Sequence, residues 1–159
     1  MERIETQENG IVFLGAPGGT GKTFSTNLPL AEVRSTNGIA SAVASSGIAA
    51  TLLCGGRTAH AALKLPLYTA NQEHPVCNIK RQSGQARVLK ACKLISWDEC
   101  TMAHRKSLEA LNRTLQDVRP NISLMGDLLL LLCGDFRQTL PAVPDATMTD
   151  YRWISCPRP

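Results

Sequence analysis

The residues Ala16, Pro17, Gly18, Gly19, Thr20, Gly21, Lys22 and Thr23 fit the pattern of a loop that wraps a polyphosphate, with alanine in place of its first glycine and Gly15 just ahead. The chemistry accounts for these residue types. Glycines let successive backbone N–H groups turn inward without a Cβ in the way. A helix starting at the end of the loop adds partial positive charge. Lys22 places a mobile cation beside the β- and γ-phosphates, and Thr23 offers a hydroxyl to magnesium. Gly18, Gly19, Thr20, Gly21, Lys22 and Thr23 are therefore expected to hold a nucleotide. A chance glycine-rich turn would not need a strand before it and a helix after it, and this stretch has the sequence signals for both.

Two further groups of residues fit the same chemistry. Leu94, Ile95, Ser96 and Trp97 form an apolar run that delivers Asp98 and Glu99 to its end. Asp98 suits a metal-bound water and Glu99 suits the base that orients and deprotonates an attacking water. Alone, the pair would read as an acidic helix cap. Gly134, Asp135, Phe136, Arg137 and Gln138 follow another apolar run. Gln138 is placed to sense a γ-phosphate, with Asp135 and Arg137 bracing the loop; the plain alternative is a polar turn over a buried Phe136.

These groups need strands to end beside one another. Ile11–Leu14, Ile39–Ala44, Leu94–Trp97 and Asp127–Cys133 read as buried strands. Helices are expected over 22–34, with Pro29 kinking or shortening the first, and over 45–53, 85–93 and 103–118. The last carries Leu108, Leu111, Leu115 and Val118 on one face. Residues 66–84 read mostly as loop. Strands alternating with helices predict an α/β fold with a parallel sheet and ligands at the carboxyl ends of its strands.

Composition bounds the rest. With 159 residues, 43% of them apolar, the chain fits one domain with a real core. Its longest apolar run, Leu128 to Cys133, is too short to cross a bilayer, and the first residues lack a signal-like apolar stretch, so a soluble intracellular protein with no membrane partner is expected. Cysteines 54, 77, 92, 100, 133 and 156 form no C-x-x-C pair, which predicts reduced and mostly buried thiols. The net charge of +4 is uneven. Arg34, Arg57, Lys64, Lys80, Arg81, Arg87, Lys90 and Lys93 face a single acid, Glu73, between residues 34 and 97. Such a run is a solvated face or a phosphate-tracking surface.

Taken with Val43 to Thr51, Gly55 to His60, Trp97 to Met102 and Gly134 to Pro141, the three motifs make the chain resemble the first RecA-like domain of the Pif-type and Helitron-type DNA helicases of superfamily one, from about Asn9 to Pro141. The resemblance implies a P-loop NTPase with a RecA-like sheet flanked by helices over 1–145, and a divergent tail over 146–159. It implies ATP with magnesium (Mg2+) at Gly18, Gly19, Gly21, Lys22, Thr23 and Asp98, Glu99 as the water-activating base, and Gln138 as the γ-phosphate sensor. Ser46, Gly47, Thr58 and His60 fall in segments that contact single-stranded DNA in such helicases, where hydroxyls, N–H groups and an imidazole grip phosphates without reading bases. The family couples ATP hydrolysis to translocation and duplex unwinding in DNA repair, recombination and telomere maintenance, in the nucleus or mitochondrion. Its adenine-recognising glutamine segment has no clear match here, and its second RecA-like domain, with the arginine fingers, has none in this sequence. The expectation is an amino-terminal motor fragment with weak activity on its own; a non-catalytic remnant that binds nucleotide or DNA and a small P-loop kinase are the alternatives.

Overall fold

The apolar runs ahead of the motifs all form strands, and those strands lie side by side. In this computed structural model, which describes residues 10–66 and 72–138, the strands are β1 (Ile11–Gly15), β2 (Ile39–Ala44), β3 (Arg57–Thr58), β4 (Cys92–Asp98) and β5 (Leu129–Gly134). The helices are α1 (Lys22–Ser35), α2 (Gly47–Leu52), α3 (Ala59–Leu63), α4 (Gly84–Ala91) and α5 (Arg105–Val118). The sheet order is β1-β5-β4-β2-β3 and every pairing is parallel.

Both sheet faces are covered, as the continuous apolar runs require. Ile95 and Trp97 of β4 and Leu130 and Leu132 of β5 join the larger core cluster with Leu111 and Leu115 of α5 and Leu89 of α4. Leu94 and Leu129 turn the other way and pack with Leu30 and Val33 of α1. On that face β2 presents Ala40, Ala42 and Ala44, small side chains that let the helices lie close to the strand. Thr26, Leu30 and Val33 form the buried stripe of α1 at helical spacing.

Several local expectations shift. Pro29 does not shorten α1, which runs on to Ser35. The carbonyl it leaves without an N–H partner belongs to Ser25, an exposed residue whose oxygen water can satisfy. Residues 57–63, for which no element was expected, hold β3 and α3; two residues of strand carry no alternation for a sequence to reveal. The β4 strand starts at Cys92, two residues before the predicted start, because Ile39 and Ala40 of β2 offer it a pairing edge. A 3-10 turn at Cys100–Met102 delays the next helix to Arg105, where the His104 imidazole caps it by accepting from the Lys106 N–H at 3.2 Å. Residues 72–83 hold no helix or strand. The tail over 146–159 and the expected boundary at 145 lie outside the described residues.

Arg119 fixes the start of β4. Its guanidinium donates to the carbonyls of Leu89 (3.2 Å), Lys90 (3.2 Å), Cys92 (2.8 Å) and Gly126 (2.7 Å). A cation at the end of α4 thus satisfies its last carbonyls and ties them to the loop before β5. Arg119→Ala is expected to lower stability by about 1–3 kcal/mol, the cost of leaving such charge-assisted bonds unmade, measured by urea unfolding. A change below the error of that measurement would show that the fork is ornamental.

Candidate nucleotide-binding site

Parallel pairing puts the carboxyl ends of the strands in one row. Gly15 pairs with Gly134, and Ala44 pairs with both Asp98 and Thr58. In sheet order the ends are therefore Gly15, Gly134, Asp98, Ala44 and Thr58. Each leads into one of the segments singled out by sequence: the glycine-rich loop, the Asp135–Gln138 turn, Glu99, Ser46 with Gly47, and His60.

The loop is shaped as a phosphate cradle. Gly19 (φ 79°) and Gly21 (φ 82°) occupy the left-handed region that favours glycine. The Thr20 hydroxyl donates to the Pro17 carbonyl at 2.7 Å and braces the turn. Gly21 caps α1 with no side-chain hydrogen bond, so the first N–H groups of a 14-residue helix face the loop uncapped. Lys22 opens the helix, and its ammonium nitrogen is buried without a hydrogen-bond partner among the described residues. Thr23 sits beside it, half-buried.

The carboxylates come to the same place. Asp98 is buried, and its Oδ1 accepts the Glu99 N–H at 2.9 Å. Glu99 holds a left-handed backbone (φ 51°), a strained conformation for a side chain of its size that turns the chain sharply off the strand. The Cys133 thiol registers the cluster. Burial pushes its pKa up, the Thr26 hydroxyl 3.2 Å away pulls it down, and the charges of Asp98, Lys22 and Glu99 all act on it. Cys100 is pushed up to about 12 by burial, with Cys133, Asp98 and Glu99 adding to the shift. Thr26 also donates to the Lys22 carbonyl at 2.8 Å. The sequence reading missed this Thr26–Cys133 support beneath the loop. The four-residue spacing from Lys22, which puts Thr26 on the same helix face, was the available signal.

Gln138 reaches the cradle. A Cβ at Gly18 would come within 2.6 Å of its Nε2, so its amide lies directly against the loop. The Asp135 side chain accepts the Arg137 N–H at 3.0 Å, and the Asp135 carbonyl accepts the Gln138 N–H at 3.1 Å. Phe136 is not buried as a polar turn over a core residue would have it. It is 39% exposed and its ring lies 5.1 Å from that of Phe13.

Ser46, Gly47, Thr58 and His60 stand apart from this cluster, on the neighbouring strand ends. Ser46 and Thr58 are helix caps: their hydroxyls accept from the N–H groups of Ala49 (3.1 Å) and Ala61 (3.4 Å). A hydroxyl that accepts still has its proton to donate. Gly47 and His60 are exposed. The two halves of the row are stitched together by the Ser45 N–H, which donates to the Asp98 carbonyl at 3.1 Å, and by the Trp97 indole, which donates to the Ser45 hydroxyl at 2.9 Å. Trp97 is thus a packing residue, 1% exposed. A second tie runs from α1: Asn27 accepts the Cys54 N–H at 3.1 Å, and Arg34 donates to the Cys54 carbonyl at 2.8 Å.

Cys77, Cys92, Cys100 and Cys133 are buried and Cys54 is exposed, all five as free thiols; Cys156 lies outside the described residues. No group of three or more metal-ligating side chains occurs among the described residues, and no helix there is long and apolar enough to cross a membrane. The unpaired Lys22 ammonium gives a sharp expectation. A buried charge without a partner costs stability. Lys22→Met should therefore raise the melting temperature of the nucleotide-free chain while abolishing the upward shift caused by ATP. A melting temperature that falls would show that the ammonium is already compensated.

Among curated relatives, the ATP-dependent DNA helicase Pif1 of Psychrobacter is 29% identical over 141 residues, which cover 89% of this chain and 21% of the relative. The ATP-dependent DNA helicase PIF1 of Xenopus laevis is 27% identical, covering 91% of this chain and 23% of the relative. The chain thus spans about a fifth of the length of these relatives. Among solved structures, Pif1 helicase from Candida albicans superposes with a TM-score of 0.73 at 26% identity, covering 89% of this chain and 32% of that one. Bacteroides Pif1 bound to single-stranded DNA superposes with a TM-score of 0.70 at 24% identity, covering 97% of this chain and 35% of that one, a likeness of fold. The parallel sheet flanked by helices is therefore the RecA-like fold of these helicases. A model of the PIF1-like helicase family matches residues 1–155, and this chain belongs to that family.

Proposed function

We propose that the chain is an ATP-hydrolysing motor domain of a DNA helicase, with the nucleotide held between the glycine-rich loop and the Asp98–Glu99 pair. The observation that carries this reading is the buried, unpartnered Lys22 ammonium, set where an uncapped helix N-terminus and two carboxylates also act. A triphosphate supplies the acceptor oxygens that the Lys22 ammonium and the uncapped N–H groups lack. The N–H groups of Gly18, Gly19, Thr20 and Gly21 and the Lys22 ammonium take its phosphates.

Thr23 and Asp98 offer the hard oxygen donors that Mg2+ takes, so the residues present fit that ion. When bound, it neutralises charge on the β- and γ-phosphates. Glu99 then accepts a proton from the water whose oxygen attacks the γ-phosphorus as the bond to ADP breaks. Gln138, already against Gly18, contacts the γ-phosphate and moves when it leaves. Ser46, Gly47, Thr58 and His60 grip the sugar-phosphate backbone of single-stranded DNA on the adjoining half of the row. The Ser45–Asp98 hydrogen bond gives the two ligands a short path of influence.

The wider role is translocation and duplex unwinding, in DNA repair, recombination and telomere maintenance, in the nucleus or mitochondrion. A second RecA-like domain would complete the ATP site with arginine fingers. Without them, phosphoryl transfer is slower by about 10³ to 10⁵, so the chain alone is expected to bind Mg-ATP, hydrolyse it slowly and leave duplexes intact.

Nucleotide affinity and single-turnover hydrolysis test this directly. Glu99→Gln should bind ATP as well as the wild type and lose hydrolysis; equal rates in the two would instead favour a remnant that binds without catalysis. Transfer of the γ-phosphate to a nucleoside would favour a small P-loop kinase. Replacing Ser46 and Thr58 together by alanine, or His60 by alanine, should weaken oligo-dT binding several-fold at fixed salt while leaving its salt slope unchanged, because neutral contacts release no counterions. Unchanged affinity would remove these residues from the DNA path.

A further inference from the structure

Thr101 has no part in the site described above, although it lies two residues beyond Glu99. It is 6% exposed, and its hydroxyl has no hydrogen-bond partner among the described residues. It packs on the backbone of Gly134: a Cβ there would lie 2.7 Å from Thr101 Cγ2 and 3.0 Å from Thr101 Oγ1. Gly134 is where three parts of the site meet. It pairs with Gly15, its carbonyl accepts the Ala16 N–H at 3.4 Å, and the turn carrying Asp135 and Gln138 begins after it. Glu99 is tied to the same 3-10 turn as Thr101, since its carbonyl accepts the Met102 N–H at 3.0 Å.

Folding alone does not explain a threonine here. Valine has the same shape and carries no hydroxyl to desolvate, so in a fully packed position without a partner it would be the more stabilising choice. The hydroxyl is therefore available to the working cycle and not needed by the resting fold. It lies between Gly134, from which the Gln138 turn departs, and Glu99, two residues back along the chain.

We propose that Thr101 is a positioning residue for hydrolysis: with nucleotide bound, its hydroxyl hydrogen-bonds to the backbone of the Asp135–Gln138 turn and so sets Gln138 against Glu99. The contact with Gly134 is the pivot. Gly134, the residue just before that turn, carries no side chain to hold Thr101 away from it. The inference rests on the nucleotide reading above and adds to it a residue that touches neither ATP nor water.

The test is single-turnover hydrolysis by the full chain in excess over radiolabelled ATP, alongside titration with a fluorescent ATP analogue. Thr101→Val should slow hydrolysis about tenfold, the loss expected for one positioned hydrogen bond, with nucleotide affinity unchanged. Thr101→Ser, which keeps the hydroxyl, should restore the wild-type rate. Gly134→Ala, which drives a methyl into Thr101, should reproduce the slow rate with threonine in place, and it carries the test if the valine variant does not fold. A valine variant as fast as wild type would overturn the proposal, and so would a serine variant as slow as valine. Failure of the wild-type chain to bind the analogue at all would instead bring down the nucleotide reading, a result distinguishable from either.

Discussion

An ammonium group held out of water without a hydrogen-bond partner among the described residues is the constraint around which this domain is organised. The position of Lys22 is set by α1, and α1 is set by packing Leu30 and Val33 on the sheet. Burying a lone charge works against folding, so the apolar burial on both sheet faces must carry the cost. That burial is substantial: the strands of the sheet centre, β4 and β5, are covered almost completely. The strained left-handed backbone at Glu99 is held in the same way, by a core that leaves the turn no alternative. The left-handed turn at Glu99 and the Lys22 ammonium both lie at the carboxyl ends of the strands, where the packed core beneath supports them.

The parallel sheet turns this edge into a shared work surface. Adjacent strands lie about 4.8 Å apart, so five ends in a row bring segments distant in sequence within a few ångströms of their neighbours. The order β1-β5-β4-β2-β3 places the proposed nucleotide segments on the first three ends and the proposed DNA segments on the last two. The β4–β2 ladder joins the halves, and past its end the Ser45 N–H still donates to the Asp98 carbonyl. Binding in one half can therefore bias the other through rigid strand ends, without a long chain of intermediaries. The tie from Asn27 and Arg34 of α1 to Cys54 adds a second link on the same face of the sheet.

The four buried cysteines fit this economy. Burial raises the pKa of each, and Cys100 stands at about 12, so at neutral pH they remain neutral thiols and pack as small apolar side chains. Cys133 does so directly under the phosphate cradle, where a larger side chain would displace Thr26. The basic run between residues 34 and 97 divides by role. Arg34 is spent on carbonyls inside the fold, Arg81 pairs with Asp117 at 3.3 Å, and Arg57, Arg87, Lys90 and Lys93 are exposed. Part of that charge is structural, which the count alone could not reveal.

How far the sequence speaks for itself follows from the range of the forces involved. The cradle, the strand before it and the helix after it were legible because glycine at a left-handed turn, an apolar run buried on both faces and a helical stripe are local requirements written into consecutive residues. The carboxylate pair and the Gln138 turn were legible as motifs, although nothing local says that they meet. Only the tertiary structure decided that Gln138 lies on Gly18, that Cys133 sits among Lys22, Asp98 and Glu99, and that Thr101 presses on Gly134. It also decided the two-residue strand β3 and the passage of α1 through Pro29, both of which depend on what lies alongside. Strand order is set by packing between segments far apart in the chain, and no window of neighbouring residues contains that information.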